Sequence, residues 1–182
     1  MNYNELKNTC HNAAVKGGWY EQEKIVNELL CLILSEHYEC MDAYRSRNWC
    51  NLSKDQLKDL RSEFNHNLES FAYQFKTNVK DTVQDELADV VIRTLDMAGY
   101  FGIEIPKVKF FEPTTDILKS TWEFTGICWS MSNKVLNCYH IAILLGYVEG
   151  TAREYEIDLE THVMLKLAYN STRGLRHGGK IA

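Results

Sequence analysis

The chain has 182 residues, 45% hydrophobic and 25% charged, so we expect a single globular domain over residues 1–182 with an ample apolar core. Its net charge of −5 at pH 7 excludes a protein that binds polymeric nucleic acid by neutralising phosphates over a basic surface. No apolar run approaches the roughly 18 residues that a membrane helix needs, so no membrane partner is expected.

Helical periodicity runs through most of the chain and predicts an all-α fold. Apolar residues recur every three or four positions, and the two prolines, Pro106 and Pro113, lie close together. Asn4 is the predicted cap of the first helix, which ends at Gly17 and Gly18. The predicted helices cover residues 4–15, 22–47, 55–74, 81–101, 117–131, 134–147 and 157–172.

Two pairs of carboxylates interrupt the apolar faces of two predicted helices. Glu36 and Glu39 form an E-x-x-E in the second helix, and Glu86 and Asp89 form an E-x-x-D in the fourth. Side chains three apart lie on one helix face, so each helix presents one pair. Like charges about 5 Å apart repel by roughly 3 kcal/mol at an effective dielectric constant near 20, so four gathered carboxylates need a cation or protons. A hard divalent ion, most simply Mg²⁺, fits such all-oxygen ligands.

A single acidic pair on a helix is ordinarily a solvated face, and the second pair is what favours a metal site. Two further acids lie close to the pairs. Asp96 comes seven residues after Asp89, on nearly the same face, and is a candidate ligand or an acceptor behind the ligands. Asp42 is expected on the outer face of its helix.

The last predicted helix and the tail after it carry a row of polar and cationic side chains. Lys166, Asn170 and Arg173 are spaced i, i+4 and i+7, which places them on one face, and Tyr169 borders it. Ammonium and guanidinium groups suit phosphate oxygens, although cations at a helix C-terminus also occur because they complement the helix dipole. The candidate substrate-binding residues of this region are Lys166, Tyr169, Asn170, Arg173, His177 and Lys180.

An aromatic residue follows the two glycines after the first predicted helix. Trp19 in such a place is ordinarily a core anchor, but an indole can also stack on a nucleobase. Lys16 and His11 precede it, and Lys16 and Trp19 join the candidate substrate-binding residues.

The location of the protein is suggested by its amino-terminal segment and its cysteines. Residues 1–16 are polar and contain no apolar signal-peptide segment. None of the six cysteines forms a C-x-x-C pair, and their spacing does not fit a zinc site. Reduced thiols in a cytoplasmic protein are the expected state.

Four segments, in this order, resemble the MazG-like branch of the all-α nucleoside triphosphate pyrophosphohydrolases. They are His11–Trp19, Ser35–Arg45, Asp85–Asp96 and the closing stretch from Lys166 to Lys180, and together they cover a little under half the chain. The resemblance implies a helical bundle of four core helices with added helices. Residues 48–80 and about 107–156 are longer than in compact members, and the second stretch is similar to an inserted helical pair.

The resemblance also implies an activity: Mg²⁺-dependent hydrolysis, with Mn²⁺ as a possible substitute, of a ribo- or deoxynucleoside triphosphate to a monophosphate and pyrophosphate. It implies that Glu36, Glu39, Glu86 and Asp89 hold the metal and that the chain forms homo-oligomers, dimers or tetramers. In the mechanism that follows, Glu39 accepts the proton of the attacking water. Lys166 and Arg173 then stabilise charge on the phosphate oxygens.

Two other classes of protein stay open at this point. A di-iron carboxylate bundle needs two Glu-x-x-His pairs on inward faces, and the sequence has this spacing only once, at Glu63 and His66 in a polar helix. A non-catalytic nucleotide-sensing or partner-binding protein is favoured by the aromatic residues of the inserted stretch, which a subunit interface also explains. These aromatic residues are Trp122, Phe124, Trp129, Tyr139 and Tyr147.

Overall fold

The computed structural model describes residues 1–109, 116–132 and 134–176. Within these ranges the chain forms eight α-helices and no strand, which confirms the predicted all-α class. The helices are α1 (Tyr3–Lys16), α2 (Val26–Arg45), α3 (Lys54–His66), α4 (Leu68–Asn78), α5 (Val83–Tyr100), α6 (Ile117–Met131), α7 (Cys138–Glu154) and α8 (Leu159–Ser171).

The prediction of one helix over residues 55–74 is wrong in one respect. The structure has two helices there, α3 and α4, separated at Asn67. The backbone of Asn67 is extended (φ −150°, ψ 90°), and its side chain accepts a hydrogen bond from the Ser70 N–H at 3.0 Å. Asparagine competes for backbone donors in this way at helix starts, which explains the break. The break also changes the apolar stripe, since Leu68 is 50% exposed whereas Phe71 is fully buried.

The start of α1 also differs from the sequence prediction. Asn2, not Asn4, caps the helix by accepting from the Glu5 N–H. Asn4 instead forms two hydrogen bonds with the backbone of Ile105, donating to its carbonyl at 3.0 Å and accepting from its N–H at 2.9 Å. The beginning of α1 is thereby attached to the segment that follows α5.

Helix α5 lies at the centre of the fold and packs against α1, α2, α7 and α8. Most of its side chains are buried, and the main apolar core surrounds it. The predicted inserted pair corresponds to α6 and α7, which pack on α2 and α5 respectively and contribute to the same core. A second, smaller core joins α3 and α4 to α8. Among the described helices, none combines the length and apolarity that crossing a membrane requires.

The contact between α1 and α5 is unusually close at Gly99. A Cβ atom at Gly99 would lie only 2.5 Å from the Cβ of His11. Only glycine therefore allows the two helices to approach to this distance. The approach holds His11 against α5 and so positions the turn that follows α1.

Candidate metal centre

Three of the four sequence-predicted carboxylates meet where α2 packs against α5. Glu36, Glu86 and Asp89 each place one oxygen within 4.8 Å of the other two. The side chains of Glu36 and Asp89 are 12% and 15% exposed, and Glu86 is 2% exposed. Glu39, one turn further along α2, is exposed and is not part of this group, although its charge still acts on Glu36 and Glu86. We call Glu36, Glu86 and Asp89 the acidic triad.

Glu86 is the most unusual member of the acidic triad. The residue is 2% exposed, and the cation whose charge acts on it is Lys166. Burial raises the pKa of Glu86 to about 9, and the charges of Asp85, Asp89 and Glu39 add to this shift while Lys166 opposes it. A carboxyl in such surroundings is favoured in its protonated form or beside a cation. The chemistry of the site therefore fits a metal ion.

Glu36 is held by a cation on one side only. Arg93 Nε donates a hydrogen bond to Glu36 Oε1 at 3.1 Å, and the guanidinium carbon lies 5.5 Å from the centre of the Trp19 ring. Burial, together with the charge of Asp89, raises the pKa of Glu36 to about 7, and Arg93 acts in the opposite direction. The second carboxylate oxygen of Glu36 is left for another ligand.

The ammonium group of Lys166 is buried among the carboxylates and does not reach out towards solvent. Its Nζ is 2.6 Å from Asp85 Oδ2 and 2.7 Å from Asp89 Oδ2, and the residue is 5% exposed. The nearby charges of Asp89, Asp85 and Glu86 outweigh burial and raise the pKa of Lys166. The sequence interpretation assigned Lys166 to substrate phosphates, whereas this ammonium group is committed to two carboxylates.

Asp85 is a site residue that the sequence interpretation did not select. It is fully buried, accepts hydrogen bonds from Lys166 and from the Asp81 N–H at 3.0 Å, and leaves Oδ1 without a partner among the described residues. Burial raises the pKa of Asp85 to about 6, because its effect exceeds the opposing effect of the Lys166 charge. The spacing to Asp89 was an available signal, since residues four apart share a helix face. Asp81, Asp85 and Glu86 form a second group of acids within 4.8 Å, which shares Glu86 with the triad.

The two further acids considered from the sequence lie outside both groups. Asp96 Oδ1 is 2.9 Å from His11 Nδ1, so this carboxylate pairs with α1 and is not a ligand of the triad. Asp42 is exposed on the outer face of α2, 3.9 Å from Arg45, as expected. The His11–Asp96 pair fixes the position of α1 next to the site.

The polar and cationic residues predicted on the last helix lie in different surroundings in the structure. Tyr169 is 9% exposed and stacks on Phe75 with ring centres 4.4 Å apart, so its ring belongs to the second core. Arg173 lies over the ring of Tyr169, with its guanidinium carbon 5.8 Å from the ring centre. Asn170 Oδ1 is buried and has no hydrogen-bond partner among the described residues. This oxygen is an acceptor that a ligand group can satisfy.

The glycine turn after α1 connects the tail to the site. Gly18 has φ +79°, and the Trp19 indole packs so closely on Gly17 that a Cβ there would lie 3.1 Å from it. Arg176 donates to the carbonyls of Gly17 and Gly18, at 2.9 and 3.1 Å, and pairs with Glu21. The tail is thus attached to the turn that places Trp19 against Arg93.

Three other predicted residues complete the comparison. Lys16 is exposed at the end of α1. His177 and Lys180 lie outside the described residues.

A cavity of about 630 Å³ lies away from the carboxylates. It is lined by the first residues of α1, the segment 105–108 and the end of α7. None of the triad residues lines it, so it does not bear on the metal centre.

No protein family, curated protein or solved structure matches this chain. The likeness to MazG-like enzymes is an interpretation of the sequence.

Proposed function

We propose that this protein is a nucleoside triphosphate pyrophosphohydrolase that uses Mg²⁺, or Mn²⁺ in its place, to produce a nucleoside monophosphate and pyrophosphate. The observation that carries the proposal is the meeting of the Glu36, Glu86 and Asp89 carboxylates within 4.8 Å of one another, with Glu86 2% exposed. The sequence resemblance supplies the reaction class.

The ligand set suits a hard cation. The triad offers only carboxylate oxygens, and neither acidic group of the described residues contains a histidine or a cysteine, which softer metals prefer. Arg93 and Lys166 each hold one oxygen, on Glu36 and Asp89, and so orient the remaining oxygens. A bound Mg²⁺ would neutralise phosphate charge and lower the pKa of a coordinated water.

The surrounding residues take distinct roles in the proposal. Glu39, exposed one turn from Glu36, accepts the proton of the attacking water. Arg173 and Lys16 bind phosphate oxygens, which Lys166 does not reach while it is paired with Asp85 and Asp89. Lys166 instead holds the carboxylates in place.

Two residues are proposed to hold the nucleoside. Trp19, supported on one side by Arg93, presents an aromatic face to the base. The partnerless oxygen of Asn170 accepts a hydrogen bond, which suits a sugar hydroxyl better than a phosphate oxygen. His177 and Lys180 are proposed to bind phosphate.

The exposed aromatic face of α6 supports assembly with further copies of the chain. Leu118, Trp122 and Trp129 lie on one side of the helix, and the two tryptophans are 82% and 74% exposed. Faces of this kind are characteristic of protein interfaces. We propose a homo-oligomer, dimer or tetramer, in the cytoplasm, where the six unpaired cysteines would stay reduced.

The activity is tested by measuring pyrophosphate release from the common ribo- and deoxynucleoside triphosphates with Mg²⁺ and with Mn²⁺. Glu36→Gln and Asp89→Asn should abolish release while leaving the helical circular dichroism unchanged. Asp42→Asn, which removes an exposed carboxylate from the outer face of α2, is the matched control and should keep full turnover. If Glu36→Gln or Asp89→Asn keeps most of its turnover, the proposed role of the triad is wrong.

A non-catalytic nucleotide-binding protein is the second candidate, favoured by the exposed tryptophans of α6. Nucleotide binding without release of pyrophosphate in the same screen would establish it.

A further inference from the structure

We infer that the chain binds one divalent cation in the absence of nucleotide and that the Lys166 ammonium group takes the place of a second. This inference rests on the proposed metal centre. Sites that use two metal ions hold them about 3.5–4 Å apart between shared carboxylates. The two acidic groups of this protein share Glu86 in the same manner, but a protein cation lies between them.

The position of Lys166 is the first argument. Its Nζ contacts Asp85, which belongs to one acidic group, and Asp89, which belongs to the other, at 2.6 and 2.7 Å. Both contacts have the length of a charge-assisted hydrogen bond. At 5% exposure the ammonium group cannot leave for solvent without leaving Asp85 unpaired in the core.

The local charge is the second argument. When ionised, Glu36, Asp85, Glu86 and Asp89 carry −4, while Arg93 and Lys166 carry +2, so the buried cluster has a net charge of −2. One divalent ion brings this sum to zero. A second ion would leave +2 in a buried region, which the desolvation cost of charge opposes. Glu39 is exposed and lies outside the sum.

The competing possibility is a second ion held by Asp81, Asp85 and Glu86. Asp81 is a poor ligand for such an ion, because its side chain is 65% exposed and already paired with Lys80. Asp85 Oδ2 already accepts from Lys166 and from the Asp81 N–H, so this residue could offer such an ion only its Oδ1. These contacts favour Lys166 as the second cation, and an Asp81 variant separates the two possibilities.

The test counts Mn²⁺ ions bound per chain at saturation, by electron paramagnetic resonance of the free ion, without nucleotide. We expect one ion in the unaltered protein and one in Asp81→Asn. Lys166→Met should bind two, because a neutral side chain leaves Asp85, Glu86 and Asp89 around a position without its cation. Lys166→Met combined with Asp85→Asn should return to one. Circular dichroism of each variant shows whether it is folded.

Several results would overturn the inference. Two ions in the unaltered protein, falling to one in Asp81→Asn, would place the second ion at Asp81. A folded Lys166→Met variant that still binds one ion would show that the ammonium group does not occupy a cation position. If Lys166→Met fails to fold, the counts for the unaltered protein and Asp81→Asn still show whether one or two ions bind.

The same counts separate this inference from the proposed function. One ion bound but no pyrophosphate released would refute the proposed function alone. Two ions bound with normal turnover would refute only the role of Lys166, as would no bound ion with normal turnover. No bound ion and no pyrophosphate release would refute both.

Discussion

The buried carboxyl of Glu86 predicts that the metal-free protein loses stability as the pH rises. The pKa of Glu86 is raised from its ordinary 4.5 to about 9 in the folded protein, mainly by burial. The folded chain therefore keeps a proton that the unfolded chain releases. The stability that this proton provides is fully present below pH 4.5 and is lost as the pH rises through about 9.

The magnitude follows from the linkage between protonation and folding. Between the two pKa values, each pH unit lowers the free energy of unfolding by about 1.4 kcal/mol. Raising the pH from about 5 to about 7 therefore costs about 3 kcal/mol through Glu86 alone. No discount for solvent screening applies, because Glu86 is 2% exposed. Glu36 and Asp85, with pKa values raised to about 7 and about 6, act in the same direction. His37 and His162, whose pKa values burial lowers to about 4, act in the opposite direction below about pH 6.5.

The assay is urea unfolding followed by far-ultraviolet circular dichroism, at several pH values between about 5 and 8, with a chelator or with Mg²⁺. With chelator, the free energy of unfolding of the unaltered protein should fall as the pH rises above about 6.5, where His37 and His162 no longer contribute. In Glu86→Gln, whose amide does not titrate, it should fall less steeply. Mg²⁺ should restore stability most at the higher pH, because binding requires the ionised carboxylate.

Asp42→Asn is the matched control for this experiment, since it removes an exposed carboxylate from the outer face of α2. It should change the free energy of unfolding by no more than about 0.5 kcal/mol and leave its pH dependence unchanged. A free energy of unfolding that falls with pH as steeply in Glu86→Gln as in the metal-free unaltered protein would refute the assignment of this pH dependence to Glu86.

Two further predictions concern the packing around the site. Lys166→Met should lower the free energy of unfolding by about 3–5 kcal/mol in chelator, because it leaves the buried carboxylate of Asp85 unpaired. Adding Asp85→Asn should recover most of this loss. Both variants are measured by the same urea titration. Gly99→Ala should lower the free energy of unfolding by about 1–3 kcal/mol, because the added Cβ would overlap His11 and separate α1 from α5. This is measured as a lower thermal midpoint of unfolding. An unchanged midpoint would show that the helices are not in close contact there.

Much of the fold follows from short-range patterns in the sequence. A helical period of 3.6 residues is a local property, so the apolar spacing was enough to predict an all-α protein. The break at Asn67 was missed because the apolar stripe continues through it, while the capping tendency of asparagine depends on a single side chain. Local rules are weakest where a single residue opposes a longer pattern.

In the candidate site, too, local patterns determine some features and tertiary packing determines others. The i, i+3 spacing determined that Glu36 and Glu39 share one face of α2 and that Glu86 and Asp89 share one face of α5. Which of the four converge depends on how far α2 is shifted along α5. That shift is decided by the packing of the whole core, and it buries Glu36 while leaving Glu39 at the surface.

The partner of Lys166 was decided by tertiary structure alone. In sequence, Lys166 and Arg173 are both cations on the face of one helix, and phosphate binding describes them equally well. In the fold, α8 packs against α5 and buries Lys166, 81 residues away from Asp85, against two carboxylates, while Arg173 stays nearer the surface. Burial of charge requires a nearby opposite charge, and no local pattern specifies which distant helix will supply it.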